Sequence, residues 1–165
     1  MYRSIADFTR AWEQESGMTL KVMRALTEDS LAQRMGPEGR TLGFLAWHCV
    51  MTLPEMMTHA GVPVEGPARD APQPSLEETI RRYEAGARSV GEAVPAAWTD
   101  AMLDEVIPMY GEQWPRGTVL TLLVLHQAHH RGQMTAVMRQ AGLKVPGVYG
   151  PAREEWAQYD MPVQP

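Results

Sequence analysis

The chain has a single cysteine, Cys49, among its 165 residues. An internal disulfide is therefore excluded, and a lone thiol agrees with a reducing cytoplasm. No uninterrupted apolar run approaches the roughly eighteen residues that a membrane-spanning helix requires. The opening stretch, Met1-Tyr2-Arg3-Ser4-Ile5-Ala6-Asp7-Phe8, lacks the apolar centre of a signal peptide, so a cytoplasmic location is expected. A basic patch is missing as well. Lys and Arg are scattered through a chain of formal net charge −5, which argues against a nucleic-acid partner. There are no internal repeats and no low-complexity tract, so one domain is expected over residues 1–165.

What is present is helical periodicity. A chain of this length buries roughly two-thirds of its unfolded surface, so it needs neither disulfides nor a metal merely to fold. Phe8, Ala11, Trp12, Met18, Val22, Ala25 and Leu26 recur at spacings near three and four, predicting a first helix from about Ser4 to Leu31. Gly36-Pro37-Glu38-Gly39 breaks it. A second helix is expected from Thr41 to Ala60, where Gly61 and Pro63 stop it, with Pro54 inside as a kink or local break.

The proline-rich stretch from Gly61 to Pro74 reads as a long crossover connection rather than a hairpin turn. The third helix starts at the capping box Ser75…Glu78 and is expected to end before Pro95. Between Pro95 and Gly117 the chain reads as irregular, with Val106-Ile107-Pro108-Met109-Tyr110 its most strand-like piece. The fourth helix is expected from Thr118 to Ala141, closed by Gly142. After Pro146 a loop is expected, with one short helix at Ala152 to Gln158. The fold class is thus all-α: a four-helix bundle with long crossover connections.

Three of the five histidines lie in Leu125-His126-Gln127-Ala128-His129-His130-Arg131-Gly132-Gln133. Residues four apart stack on one helix face, so His126 and His130 can converge on one ion. They continue the stripe of Val119, Leu123, Met134 and Val137, whereas His129 shares its stripe with Leu122, Leu125 and Ala136. Both faces are apolar, so periodicity favours the 126/130 pair only modestly. An unpaired imidazole on an apolar face costs on the order of 1–3 kcal/mol, and a shared metal ion removes that cost. The plainer reading is a core or surface histidine bonded to water or a carbonyl, and it is the default for His129 and His59. Mid-helix His48, flanked by Leu45, Ala46, Trp47 and Cys49, is a third candidate ligand drawn from a facing helix. Cys49 points about a hundred degrees away and reads as a small buried hydrophobe. The methionine stripes (Met51, Met56, Met134, Met138) read as flexible core filler.

The segments Leu42-Gly43-Phe44-Leu45-Ala46-Trp47-His48 and His126-Gln127-Ala128-His129-His130-Arg131-Gly132-Gln133 together resemble the DinB family of the DinB/YfiT-like putative metalloenzyme superfamily. The His-Arg-Gly-Gln end is the most family-specific piece, and the resemblance covers nearly the whole chain. It implies a four-helix bundle whose metal ligands are His48, His126 and His130, with His129 matching no ligand. It also implies a homodimer and a divalent transition metal, commonly nickel, zinc or iron.

Three neutral nitrogens leave a coordination position open, the pattern of a catalytic rather than a closed structural site. Related proteins in the superfamily include transferases using a low-molecular-weight bacterial thiol, and that function is expected here. A metal-dependent hydrolase and a non-catalytic metal-binding stress-response protein are the alternatives. Tyr110 and Trp114 are placed to wall a pocket mouth. Glu55, two turns after His48, reads first as a solvated charge. Arg131 has two equal readings, a partner for an anionic substrate or Glu55, or a surface residue. Nothing in the sequence identifies a general base.

Overall fold

The structure, a computed structural model, describes residues 2–160 and 162. Met1 and the part of the expected C-terminal loop at 161 and 163–165 lie outside the described residues. Four helices, α1 (Ile5–Met23), α2 (Leu42–His59), α3 (Leu76–Ala97) and α4 (Arg116–Gln140), form the body, as the periodicity predicts. A two-stranded antiparallel hairpin, β1 (Val106–Met109) and β2 (Glu112–Pro115), stands before α4. Among the described residues no helix is long and apolar enough to cross a membrane.

Each of α1 and α2 packs against both α3 and α4. Side-chain pairings give the directions. α1 runs against α3, since Ile5 N–H donates to Asp100 beyond the end of α3 and Trp12 Nε1–H donates to Ala87 O at 2.8 Å. The crossover from α2 to α3 runs back along α2. Gly66 lies flush on Pro54, Trp47 Nε1–H donates to Ala71 O at 3.2 Å, and Gln73 lies against Gly43. A Cβ at Gly66 would fall 2.4 Å from Pro54 Cγ, so that position needs glycine for close approach, whereas one at Gly43 would meet only the movable amide end of Gln73. α3 therefore starts beside the start of α2 and lies parallel to it, which is the topology a long crossover permits.

Two helix ends differ most from the sequence reading. α1 ends at Met23, not Leu31: Ala25 and Leu26 keep the apolar spacing but belong to a tightened turn. Thr27 is extended there and exchanges hydrogen bonds with Ser30, starting a separate 3-10 turn at Glu28–Ala32. α3 passes through Pro95 to Ala97, because a proline so near the end forfeits only the bond to the Gly91 carbonyl, and Trp98 N–H still closes on Val94 O. α2 is likewise unbroken at Pro54. The strand-like piece at Val106 is β1, while its partner β2 was not anticipated. Their turn, Tyr110-Gly111, has φ of 52° and 85°, the positive pair that a two-residue hairpin favours. The short C-terminal helix is a 3-10 helix, Arg153–Tyr159.

Candidate metal centre

α2 and α4 face each other across the bundle, and each offers imidazoles to the seam between them. On α2 the Phe44, His48, Glu55 face looks outward from the buried Leu42, Leu45, Cys49, Leu53 stripe. On α4 the positions four apart put the His126 and His130 rings 4.4 Å apart, centroid to centroid. His48 approaches both, with centroids 5.1 Å from His126 and 4.6 Å from His130. One nitrogen from each of the three lies within 4.8 Å of the others, so the group could hold a metal ion.

The finer geometry favours a cation over a simple hydrogen-bonded cluster. His130 Nδ1 lies 2.7 Å from Gln133 Oε1, and an amide oxygen only accepts, so Nδ1 carries the proton. That leaves the His130 Nε2 lone pair aimed at His126 Nε2, 3.1 Å away. Two imidazoles on one ion at roughly 2.0–2.1 Å each would place their nitrogens at about that separation. His126 Nε2–H can donate to that lone pair, but His126 Nδ1 is then left buried with no partner among the described residues. A cluster selected only for packing would be expected to satisfy that atom.

Electrostatics keep the cluster unprotonated. Burial, then the neighbouring His130 and Arg40, pulls the His48 pKa down to about 4. Burial, then His130 and His48, brings His126 to about 4 as well. Burial lowers His130 too, against the opposing effect of its hydrogen bond to Gln133 Oε1. All three rings are therefore neutral near pH 7, the form that binds metals.

The site opens to solvent on two sides. A cleft of about 1200 Å³ reaches from His48 along the outer face of α2 to the crossover at Pro67, Arg69 and Ala71. A second cavity of about 530 Å³ touches His48 and His126 and is walled by Tyr110, Trp114, Leu122 and Leu125. The larger volume reaches only one of the three histidines; the smaller sits nearer the chemistry. Tyr110 and Glu55 border both. Tyr110 O–H donates to Glu55 at 2.8 Å, and the Tyr110 ring lies flat on His59, 4° from parallel with centroids 5.0 Å apart. Glu55 is thus exposed but engaged. His129 is exposed at the edge, its ring 4.8 Å from His130.

Arg131 matches neither expectation. It is buried, 1% exposed, on the face of α4 that meets α1. Its guanidinium donates to Glu15 Oε2 at 2.6 Å, to Glu15 O and Thr19 Oγ1 at 3.0 Å, and to the Tyr149 hydroxyl. It is neither a surface residue nor a partner of Glu55. Two residues of the same motif were missed. Gln133 orients His130, and the fully buried Gln127 donates to Cys49 O and Thr52 Oγ1 while accepting from Tyr83 O–H. Their spacing from the histidines was in plain view: Gln133 follows His130 by three residues, within reach on a helix.

A family model described as DinB family matches residues 1–162. The chain belongs to the DinB family. The uncharacterized protein YrdA of Bacillus subtilis (strain 168) is 40% identical over 162 residues, covering 98% of this chain and 97% of that protein. The crystal structure of a DinB-like protein from Bacillus cereus ATCC 10987 has a TM-score of 0.85 at 40% identity, covering 90% of this chain and 100% of that one. The DinB-like protein YjoA of Bacillus subtilis matches with a TM-score of 0.66 at 14% identity, covering 86% and 96%. At that identity only the DinB fold is shared.

Proposed function

We propose that this DinB-family chain binds one divalent transition metal ion, nickel, zinc or iron, through His48, His126 and His130, and uses it in group transfer with a low-molecular-weight thiol. The observation that carries the reading is the convergence of three neutral imidazole nitrogens within 4.8 Å at the junction of two solvent-open cavities. A structural ion would call for a fourth protein ligand, and among the described residues no Cys, Asp or Glu joins the group. When bound, the ion supplies Lewis acidity that favours a thiolate or hydroxide nucleophile near neutral pH.

The chain's own residues supply the rest. Gln133 holds His130 in the tautomer that presents Nε2. Phe44 stacks on His48 at 14° and 5.6 Å and limits its rotation. Tyr110 and Trp114 narrow the smaller cavity, while Leu122 and Leu125 give it apolar sides.

The test is metal analysis of untagged protein purified without chelator, beside a His126→Ala/His130→Ala double variant. About one transition metal per chain in the wild type, lost in the variant, supports the site; no metal after dialysis against nickel, zinc and iron removes it. Gln133→Leu should weaken metal affinity about 10–100-fold without unfolding the chain, read by competition with a chromogenic chelator. A metal-loaded screen of thiols with electrophilic acceptors then separates transfer from hydrolysis. Product carrying the thiol supports transfer, and water-derived product alone assigns a metal-dependent hydrolase.

A further inference from the structure

The crossover holds one cation where the larger cleft needs it least for stability. Arg69 lines that cleft, is exposed, and has no acidic partner among the described residues. Its segment is nonetheless pinned on both sides. Gly66 is pressed on Pro54, Glu65 N–H donates to Ser89 Oγ at 2.8 Å, and Ala71 O accepts from Trp47 Nε1–H. A further turn, Ala71 N–H to Ala68 O at 3.0 Å, brackets Arg69 itself. The backbone at Arg69 is therefore held by a fixed loop, and its guanidinium forms no ion pair among the described residues.

The walls between Arg69 and His48 are apolar and aromatic. Phe44, 44% exposed, borders the cleft with its ring stacked on His48 and the Arg40 guanidinium 5.0 Å from its centroid, and Trp47, Met51, Pro54 and Pro67 continue the surface. The cleft's one carboxylate, Glu55, already accepts the Tyr110 hydroxyl and forms no ion pair with Arg69. A planar arginine fork matches a carboxylate bidentately, and the apolar wall of Met51, Pro54 and Pro67 matches an apolar body. Clefts of this size hold small organic ligands.

We propose that the cleft beside His48 is the subsite for an organic anion: a small molecule with an apolar body and a carboxylate that Arg69 pairs with. The inference rests on the metal-site reading for its functional meaning, since it names the class of acceptor presented to that site. The binding itself needs only the cleft.

The probes are 2-naphthoate and its neutral counterpart 2-naphthamide, titrated by calorimetry into metal-loaded wild type, Arg69→Gln, Arg69→Lys and the His126→Ala/His130→Ala variant. Wild type should bind the carboxylate about tenfold more tightly than the amide, as expected for one charge-assisted pair. Arg69→Gln should erase that preference while leaving amide affinity unchanged, and Arg69→Lys should restore part of it. Phe44→Ala should weaken both probes together. An unchanged preference in Arg69→Gln, or no preference in wild type, overturns the proposal. A preference kept in Arg69→Gln but lost in the double-histidine variant means the carboxylate binds the metal, overturning the arginine subsite and supporting the metal. A preference kept in the double-histidine variant and lost in Arg69→Gln establishes the subsite even if no metal binds anywhere.

Discussion

Helix α4 carries two polar pairs four residues apart, one position out of phase with each other, and they have opposite fates. Gln127 and Arg131 face the interior, and their donors end on named acceptors: Cys49 O and Thr52 for the amide; Glu15, Thr19 and Tyr149 for the guanidinium. His126 and His130 face α2 and the cavities, and there the accounting is left open. His126 Nδ1 has no partner among the described residues, and the Nε2 atoms of the two rings meet only each other. Burial of a polar group is expensive unless it is matched. The matched pair therefore belongs to the structure of the bundle. The unmatched pair, joined by His48, belongs to something the bundle receives.

The comparison can be broken most forcefully at Arg131. Arg131→Met leaves the Glu15 carboxylate, Thr19 and Tyr149 without their shared donor. Breaking a buried ion pair from one side typically costs about 3–5 kcal/mol, and the lower end applies because Glu15 keeps some solvent access. Urea unfolding of the metal-free protein should show that loss, while metal stoichiometry at low denaturant stays near that of the wild type. Gln127→Leu is next, at about 1–3 kcal/mol, since the Tyr83 hydroxyl loses its acceptor in a fully buried setting. Metal binding should again be retained. Loss of metal in either variant at folded conditions would mean that the two pairs are not separate in function.

Much of this division was legible in the sequence, and the failures are informative. The helices and the crossover follow from period and prolines, because those are local signals that the bundle reinforces; spacing favoured His126 and His130 only modestly, and it was the family resemblance that joined His48 to them. α1 was overextended because Ala25 and Leu26 keep the apolar spacing while their backbone turns away; periodicity reports which side chains meet the core, not which backbone bonds form. The hairpin partner β2 was missed because Glu112-Gln113-Trp114-Pro115 has little strand character, and its pairing is imposed by the Tyr110-Gly111 turn. Arg131 was misplaced for a different reason. Its acceptors lie on α1, 112 and 116 residues away, and in the tail at Tyr149, and no local pattern announces such a match. Gln133 was quoted within the motif but not given its role, although three-residue spacing from His130 was sufficient to propose it.

The smallest effects on the metal-free fold should come from the histidines themselves, and their sign can be worked out. His48 and His126 are held near pKa 4 in the folded chain, chiefly by burial, against an ordinary value of 6.5. Between these values the unfolded chain binds protons that the folded chain refuses, so stability falls as the pH drops below 6.5 and the loss is complete near 4. Carboxylates titrate in the lower part of that window too, so the informative quantity is the difference between wild type and His126→Leu. At pH 7.5 with chelator present, the variant should match the wild type or exceed it slightly, because it discards the unpartnered Nδ1. As the pH falls to 5 the wild type should lose more stability than the variant, which no longer has that imidazole to protonate. Urea midpoints at pH 7.5, 6 and 5 measure both. A variant that is markedly less stable at pH 7.5 would make His126 a structural residue like Gln127, and the contrast between the two faces of α4 would fail at its weakest point.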